Sequence, residues 1–564
     1  MIRQFGAAGT DILAPDTQVW DLCIVGAGAA GLALAAEFFH GPGRVLVVES
    51  GLRAPDTYGE DLNQLDSIGL RHDGWREGRV RSLGGTTLAW GGQLIPLRGS
   101  EIEPRPWVAD SGWPLRLEEL DPYYRRVEQL LHIQGPPYDA TTWPRLGITP
   151  PAFDPEEICV RFSQWAALGR RNFALLWRRE LARSRNVWLL TDATAVALRC
   201  ASEAIQCNTG AHSCEMLEVR SRSGRQANIR ARAFVIACGA IETARLLLAS
   251  AHSGGGTVAN SSGHVGRFFQ DHVSYVAGEV EPESRRAMQH LFDPRYVGAT
   301  MYSVKLEPTD AAMRREGWLN VMAHIAFQIP DALGWMELRR ILRSLQAGRL
   351  EVPSVDEGLA MLRGSLELSR LMLTRYLARR RRSPDAGRIR LLVDSEQAPN
   401  GASRVLLDDR VDALGMRRAR LDWRLGELEQ HTLSGFARRI AAEFERLGLG
   451  KVRLAGAPDF AVRDTLGAAR DIFHHMGTAR MSATPLTGVT RPDLRCHDVD
   501  NLFIAGAAVF PTGGIANPTF TALALSLRLA DHLKSAAKSY RVHDLAQQKS
   551  PSAMTSGTLD SPPL

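Results

Sequence analysis

A glycine-rich turn between two short apolar runs, close to the start of the chain, restricts the fold more than any other feature. Gly26 permits a tight turn, Gly28 lets the backbone approach a pyrophosphate, and Gly31 lets the following helix pack closely. Glu49 ends the second run, eighteen residues after Gly31, where a carboxylate can accept hydrogen bonds from ribose hydroxyls. The pattern predicts a strand–helix–strand unit that binds a dinucleotide, and it does not choose between NAD and FAD.

The length of 564 residues exceeds one compact unit and predicts two or more domains. Hydrophobic residues make up 45% and charged residues 23%, as in soluble globular proteins. The chain has no run of eighteen apolar residues and no secretory signal in residues 1–16, so we predict neither a membrane span nor export. The 7 cysteines are scattered without a CxxC pair, which favours reduced thiols in a cytoplasmic protein.

A second glycine-rich segment, residues 81–92, is too rich in glycine to form a stable helix. Its backbone N–H groups can bind an anion, or the segment is an ordinary connector; composition leaves both interpretations open. Apolar runs at 233–238 and 501–505 each lead into glycine and predict further strands of the parallel sheet.

The middle of the chain has a different character. Its patterns predict strands at 273–280, 296–306 and 389–423, and helices at 330–382 and 426–447. No known motif accounts for the residues from the strand predicted at 273–280 up to about residue 390.

A leucine-rich and basic stretch ends the first helical region. Leu362, Leu366, Leu373 and Leu377 share one helical face, and residues 379–382 are all arginine. Such a helix can contact an anionic membrane or an acidic partner; alternatively, the leucines pack on the core and the arginines extend into water. We prefer the second interpretation and predict no nucleic-acid binding, with peripheral membrane contact as the minor alternative.

Two short segments near the C-terminus carry candidate chemistry. His474 and His475 precede Gly477, and Asn517 precedes Pro518 some forty residues later. A histidine titrates near neutral pH and can accept and return a proton, and an asparagine can hold an oxygen without adding a competing base. Taken singly, each histidine also fits a structural role, and Asn517 fits a turn.

Seven segments of the chain together resemble the glucose-methanol-choline (GMC) oxidoreductase family, nearest its sugar-oxidising branch. They are the turn at 26–31 with Glu49, and residues 81–92, 233–250, 265–272, 395–408, 474–481 and 501–533. The resemblance implies a discontinuous α/β, Rossmann-like FAD-binding domain and an α+β substrate domain built on an antiparallel sheet.

The resemblance also implies roles for individual residues. His474, three positions before Gly477, corresponds to the catalytic base, and Asn517 to the second member of the catalytic pair. Ala89 replaces the histidine that links FAD covalently in some relatives, so noncovalent FAD is expected. The implied FAD-binding residues are Gly26, Gly28 and Gly31 at the pyrophosphate, Glu49 at the ribose, Leu83, Gly84, Gly85, Thr86 and Trp90 along the diphosphate and flavin, Val196 at the adenine, Gly506 and Ala507 at the ribitol, and Thr519.

The expected domains follow the same resemblance. Residues 1–18 are expected to form an N-terminal arm and 541–564 a disordered tail. The other boundaries are 19–100, 186–275 and 470–540 for the FAD-binding domain, and 101–185 and 276–469 for the substrate domain.

The resemblance implies oxidation of an alcohol group on a sugar or glycoside, with the proton passing to His474 and the hydride to flavin N5. The electron acceptor is expected to be a quinone, a carrier protein or O2, and a dehydrogenase is slightly preferred to an oxidase. No metal is expected. The alternatives are a non-redox lyase of the same fold, such as a hydroxynitrile lyase, an oxidase that uses O2 on a non-sugar alcohol, an NAD-linked dehydrogenase, and a non-catalytic binding protein.

Overall fold

The computed structural model describes residues 1–7, 19–201, 212–252, 256–328, 335–349, 352–363, 369, 373–383, 385–455 and 466–547. The strands, in chain order, are β1 Ile2–Gln4, β2 Val19–Val25, β3 Val45–Val48, β4 Leu65–Gly69, β5 Gln93–Leu94, β6 Ile158–Trp165, β7 Val187–Thr191, β8 Thr194–Ala201, β9 Ser213–Arg220, β10 Gln226–Ile236, β11 Ala251–His252, β12 Val273–Pro282, β13 Arg295–Val297, β14 Thr300–Pro308, β15 Val321–Phe327, β16 Ile389–Ser395, β17 Arg404–Val411, β18 Arg417–Trp423, β19 Gly450–Leu454, β20 Arg470–Asp471 and β21 Leu502–Ile504.

The α-helices vary from single turns to one of thirty residues. In chain order they are α1 Ala29–Ala36, α2 Thr57–Leu62, α3 Gly74–Glu77, α4 Gly99–Ile102, α5 Asp121–Leu131, α6 Phe173–Leu176, α7 Arg178–Arg183, α8 Gly239–Ala249, α9 Arg285–Phe292, α10 Asp310–Glu316, α11 Trp335–Gln346, α12 Val355–Arg363, α13 Glu427–Arg446 and α14 Pro518–Gln547. Short 3-10 turns include Gly85–Leu88 and Ala507–Val509.

The first sheet has the order β1-β7-β3-β2-β10-β9-β8-β11, and β21 pairs with β10. Its centre is parallel: β2 pairs with β3 on one side and with β10 on the other, and β10 also pairs with β21. Every residue of β3 is buried, as expected for a strand covered on both faces. The predicted strand–helix–strand unit is present as β2, α1 and β3.

The second sheet has the order β19-β12-β16-β15-β14-β6-β5 and is antiparallel along this path. Leu306 of β14 is paired with Ala323 of β15, which is paired with Val393 of β16. All three lie in a hydrophobic cluster with side chains of α13, including Phe436 and Phe444. Because side chains alternate along a strand, the neighbours of these residues point from the opposite face of the sheet.

A small third sheet, β17-β18-β4, and two large hydrophobic clusters complete the architecture. The clusters do not follow the expected domain boundaries. Trp113, Tyr124 and Leu181 lie between residues 101 and 185, yet they are buried in the cluster of the first sheet. Ile241, on α8, is buried in the cluster of the second.

Both chain ends differ from expectation. β1 pairs in parallel with β7, and Phe5 beyond it is fully buried, so these residues extend the first sheet instead of forming an arm. The pairing was missed because a three-residue edge strand is too short to show a period. At the other end α14 continues through residues 541–547, which were expected to be disordered. Residues 8–18 and 548–564 lie outside the described part of the chain.

The expectation that all cysteines are reduced is wrong for one pair. Cys200 on β8 and Cys214 on β9 are aligned across the hairpin and form a disulfide. The hairpin pairing brings them together, although fourteen positions separate them in sequence. Cys23, Cys159, Cys238 and Cys496 are free.

The leucine-rich stretch also differs from the preferred interpretation. Leu362, Leu373 and Leu377 are 68%, 58% and 81% exposed, so these leucines do not pack on the core, and Leu366 lies outside the described residues. Two of the following arginines are instead held by acids: Arg380 by Asp293 and Arg382 by Asp385. Among the described helices, none is both long and apolar enough for a transmembrane span.

Candidate active site

One elongated cavity runs along the first sheet at the ends of β2, β3, β10 and β21. The glycine turn and Glu49 line one part of it, and His474 and Thr519 line another. Of the residues expected at FAD, its walls contain Gly26, Gly28, Glu49, Gly85, Thr86, Gly506, Ala507 and Thr519. The opening between parallel strand ends is where open α/β sheets bind ligands.

The glycine turn has the geometry that its spacing predicts. Gly26 has φ of 104°, in the left-handed region that favours glycine. A Cβ atom on Gly31 would lie 1.9 Å from the carbonyl oxygen of Gly26, so Gly31 serves helix–strand packing and does not line the cavity. A Cβ on Gly28 would meet no protein atom within 4 Å. No side chain caps the N-terminus of α1, so its first N–H groups are available to an anion.

Glu49 lies at the end of β3 and is almost completely buried. Its Oε2 accepts a hydrogen bond from the Ala27 N–H and its Oε1 accepts one from the Gly51 N–H, both at 2.8 Å. Burial raises the pKa of Glu49, against the opposing effect of these two N–H groups. The backbone therefore fixes the carboxylate at the cavity wall, and each oxygen retains a lone pair for a ribose hydroxyl.

The other expected FAD-binding residues lie behind the cavity wall. Leu83 is buried, and the N–H of Gly84 donates to the carbonyl of Ala27, which joins this segment to the glycine turn. The indole of Trp90 donates to the carbonyl of Arg171. Val196 packs with Leu62 and Leu414, while the preceding residues 193–195 line the cavity.

A glutamine from the helical region predicted at 330–382 forms hydrogen bonds to the glycine-rich loop at 81–92. Gln346, at the end of α11, is buried and donates from Nε2 to the carbonyl oxygens of Thr87 and Trp90. Its own carbonyl accepts a hydrogen bond from Asn172. Hydrogen bonds from Gln346 therefore fix the backbone of the loop at 81–92. A fixed backbone is expected of an anion-binding loop more than of an ordinary connector.

Two arginines on the cavity wall were not expected from the sequence. Arg79 and Arg81 both pair with Glu242, in the first turn of α8. Arg81 also donates to the hydroxyl of Ser50. Burial opposes ionisation of Glu242, but its arginine neighbours outweigh that effect and lower its pKa. This cluster supplies positive charge beside the space expected for the diphosphate.

The structure brings His474 and Asn517 together although 43 positions separate them. Nδ2 of Asn517 lies 3.1 Å from Nε2 of His474, and Nδ1 of His474 lies 2.8 Å from Nδ1 of His272. His272 continues the chain of hydrogen bonds through Nε2, which is 2.8 Å from the carbonyl oxygen of Gly514. His475, by contrast, lies against His72 and Phe269.

These partners assign the tautomers of both histidines. A backbone carbonyl only accepts, so His272 carries its proton on Nε2 and offers Nδ1 as an acceptor. His474 must then donate from Nδ1, which leaves Nε2 unprotonated and able to accept from the amide of Asn517. Burial, followed by the charge of His272, lowers the pKa of His474 to about 3. His474 is therefore neutral near pH 7, with its free lone pair directed at Asn517.

A buried group of two histidines and an aspartate lies behind His474. His72 Nε2 is 3.1 Å from Asp271 Oδ2, His475 Nε2 is 3.7 Å from the same oxygen, and Asp271 Oδ1 accepts the backbone N–H of His474. The ligand atoms are close enough to hold a metal ion. However, His72 Nδ1 accepts the N–H of Trp75, so its Nε2 carries a proton and donates to Asp271. The group fits a structural support for His474 better than a metal centre.

The turn before Asn517 is fixed by a second buried network. Glu101 is fully buried, and its Oε1 accepts the N–H groups of Ile515 and Ala516. Its Oε2 lies 3.4 Å from Arg161 of β6. Burial disfavours ionisation of Glu101, but Arg161 and Arg98 outweigh this and lower its pKa. The ion pair thereby connects the second sheet to the turn that presents Asn517.

Sequence reasoning missed His272 and Glu101 for different reasons. His272 lies inside the segment 265–272, which carried the resemblance, and a search for histidines near paired motifs could have found it. Glu101 belongs to no motif, because its role depends on contacts with residues more than four hundred positions away.

The structure combines a sheet with a parallel centre, whose strand ends line the cavity, and a second, antiparallel sheet. Part of the chain matches the GMC oxidoreductase family. The model of that family, described as GMC oxidoreductase, matches residues 399–526, which include β17, β18 and the segment from His474 to Asn517.

Relatives match over nearly the whole chain. The 6'''-hydroxyparomomycin C oxidase of Streptomyces lividus is 28% identical, over 94% of this chain and 95% of its own length. Paromamine 6'-oxidase of Streptomyces fradiae is 26% identical, over 91% of each. Among solved structures, pyridoxine 4-oxidase from Mesorbium loti has a TM-score of 0.53 at 18% identity, covering 91% of this chain and 99% of that one, and thus shares the fold.

Proposed function

We propose that the protein is an FAD-dependent oxidoreductase that oxidises a carbinol group of a sugar or glycoside. The observation that carries this proposal is the contact between Nε2 of neutral His474 and Nδ2 of Asn517, together with the position of His474 on the wall of the cavity that begins at the glycine turn. The match of residues 399–526 to the GMC oxidoreductase model supports oxidation of an alcohol group, and the two Streptomyces relatives are named as oxidases of aminoglycosides.

The residues present fit FAD. The uncapped N-terminus of α1, the space at Gly28 and the arginines at Glu242 suit a diphosphate, and the held carboxylate of Glu49 suits a ribose. When bound, FAD supplies the hydride acceptor. We propose that binding is noncovalent, because the side chain of Ala89 cannot form a link. Release of all flavin into solution after acid precipitation would test this.

In the proposed reaction the catalytic pair receives the carbinol oxygen. Nε2 of His474 accepts the hydroxyl proton, and Nδ2 of Asn517 donates to the oxygen as charge develops on it. Nδ1 of His474 remains bonded to His272, so the ring keeps its orientation while Nε2 takes up the proton. The buried Oδ1 of Asn517, which has no hydrogen-bond partner in the described part of the chain, is available to the substrate.

The electron acceptor separates two versions of the proposal. The sequence slightly favours a dehydrogenase, whereas both Streptomyces relatives are named oxidases. We propose that electrons leave to O2 or to a quinone or protein carrier. Reoxidation of the reduced enzyme, measured against O2 and against a soluble quinone, distinguishes the two versions.

The test is anaerobic reduction of the flavin by a panel of sugars, glycosides and simple alcohols. Wild type is expected to lose its yellow absorbance with at least one of them. His474→Ala is expected to slow this step by about 10³-fold, as removal of a general base does. His475→Gln, whose ring contacts His72 instead of Asn517, is expected to lose less than about tenfold.

Three results would contradict the proposal. Flavin that stays oxidised with every alcohol would favour a non-redox lyase. A colourless protein that oxidises an alcohol only when NAD⁺ is added, with formation of NADH, would favour a nicotinamide enzyme. Reduction at the wild-type rate in His474→Ala would exclude His474 as the base.

A further inference from the structure

A polar patch on the second sheet lies outside the catalytic pair and the FAD-binding residues. Lys305 on β14, His324 on β15 and Asp394 on β16 each adjoin one of the aligned core residues Leu306, Ala323 and Val393. Because successive side chains alternate, all three point from the face opposite the core. Lys305 and His324 are neighbours across the strand pair, and Asp394 lies diagonally beside them; we call these three residues the sheet triad.

Buried polar atoms of the sheet triad lack partners. Lys305 is 6% exposed and Asp394 is 4% exposed. Oδ1 of Asp394 and Nδ1 of His324 make no hydrogen bond to any residue that the structure describes, although Nδ1 lies 3.4 Å from Oδ2 of Asp394. Within the described residues, no hydrogen bond or ion pair to the Lys305 ammonium is found. Burying such groups unsatisfied destabilises the protein, most of all for a charged group, so the arrangement suits a ligand that satisfies them.

The sheet triad lies near His474. Asp394 is paired with Ser274 on β12, two residues after His272, whose Nδ1 lies 2.8 Å from Nδ1 of His474. The charges of Asp394 and Lys305 both act on the pKa of His474, Asp394 raising it and Lys305 lowering it. Burial, followed by the charge of Lys305, lowers the pKa of His324 to about 4, so this imidazole is neutral near pH 7. The neighbouring Glu307 is occupied by Arg98 and Arg161, which leaves one cation and one anion in the sheet triad.

We propose that the sheet triad is a substrate subsite that binds adjacent hydroxyl groups of a polyol ring, next to the carbinol that is oxidised. One hydroxyl donates to Asp394 and the other accepts from Lys305, with His324 completing the set. The inference rests on the proposed function and adds to it the residues that bind the substrate and the requirement that the substrate be uncharged.

The sheet triad contains one positive and one negative charge, and this combination favours a polyol over a charged ligand. A phosphate or carboxylate would be repelled by Asp394, and an ammonium group would be repelled by Lys305. A hydroxyl both donates and accepts, so a pair of hydroxyls satisfies the carboxylate and the ammonium together. The expected substrate is therefore an uncharged sugar or glycoside, in contrast to the aminoglycosides named for the two relatives.

The test compares three substrates of the FAD-loaded enzyme: cyclohexanol, trans-cyclohexane-1,2-diol and methyl β-D-glucopyranoside. The rate of anaerobic flavin reduction is measured at pH 8, where His474 is neutral in every variant. Asp394→Asn and Lys305→Met are each expected to lower kcat/KM for the diol and the glycoside by about 10- to 100-fold, the size expected for a hydrogen bond to a charged group. The value for cyclohexanol is expected to change less than about threefold.

Lys451→Met, on exposed β19 of the same sheet, is the control and is expected to leave all three values unchanged. Equal losses for cyclohexanol and the glycoside would overturn the subsite, as would no loss for either. Titration of the oxidised enzyme with the glycoside, followed by flavin absorbance, separates binding from turnover. Binding that is as tight in Asp394→Asn as in wild type would also overturn it. A wild-type flavin that no alcohol reduces would instead refute the proposed function.

Discussion

The glycine turn of the first sheet and the polar face of the second sheet are built in opposite ways. At the glycine turn, backbone N–H groups, missing Cβ atoms and one carboxylate held by the backbone form the binding surface. At the second sheet, the surface consists of side chains from strands that are far apart in sequence, such as Arg161, Lys305 and Asp394. A backbone site suits a ligand that never varies, whereas a side-chain site can change with the substrate while the strands remain in place.

The strongest way to break this comparison is a pair of substitutions within the glycine turn. Gly31→Ala places a Cβ against the carbonyl of Gly26, and we expect a loss of at least about 2 kcal/mol of stability together with loss of flavin. Gly28→Ala meets no protein atom, so the unfolding temperature of the apoprotein should stay constant while FAD binds about tenfold more weakly.

Calorimetry of the apoprotein and titration with FAD measure the two effects separately. Equal destabilisation by both substitutions would show that Gly28 serves packing, and a backbone site for the pyrophosphate would then be the wrong description.

A smaller effect on stability and rate is expected at the ion pair between Glu101 and Arg161, which connects the second sheet to the turn before Asn517. Glu101→Gln removes the charge that pairs with Arg161 and exchanges one acceptor for a donor near the N–H groups of Ile515 and Ala516. We expect stability to fall by about 3 kcal/mol, and flavin reduction to slow by about 10- to 100-fold because Asn517 is displaced. Urea unfolding and stopped-flow reduction measure these changes; the flavin content should be unaffected. A normal reduction rate in a destabilised protein would show that Glu101 only supports the fold.

The smallest effect concerns the proton chain behind His474. His272→Phe removes the second-largest cause of the low pKa of His474, after burial, and the acceptor of its Nδ1 proton. The base works in its neutral form, which exists above its pKa, so a raised pKa moves the acid limb of the kcat/KM profile to higher pH. We expect a loss below about tenfold at pH 8 that grows towards pH 5.

His272→Asn, which keeps an acceptor, should recover part of the rate at pH 8. Asp271, Asp394 and Lys305 also act on His474 and stay unchanged in both variants. A loss that is the same at every pH would assign His272 a purely structural role.

The same contrast explains how much the sequence could predict. The strand–helix–strand unit and Glu49 follow from fixed spacings, because a turn that lacks Cβ atoms restricts the residues at each position. The pairing of His474 with Asn517 is implied by the resemblance of their segments to a known family, and the structure brings the two side chains together. The sheet triad could not be found in this way. Its members become neighbours only through the register of β14, β15 and β16, and no spacing in the sequence records that register.

The wrong predictions for the N-terminal strand, the cysteines and the leucine-rich stretch have a related cause. The strand at Ile2–Gln4 and the disulfide between Cys200 and Cys214 depend on which segment lies next to them, and pairing is not visible in composition. Leu362, Leu373 and Leu377 have helical spacing, but helical spacing shows only that one face of a helix is apolar and not that other residues cover this face.

The ion pair of Arg161 and Glu101 has a consequence for anyone who redesigns this enzyme. Arg161 is paired with Lys305 in the strand register and, through Glu101, also holds the turn before Asn517. Substitutions in this strand pair that are made to accept a new substrate would therefore also disturb the turn before Asn517. A library that varies β6 and β14 should retain Arg161 and Glu101, or co-vary them, so that gains in selectivity are not lost as reduced rate.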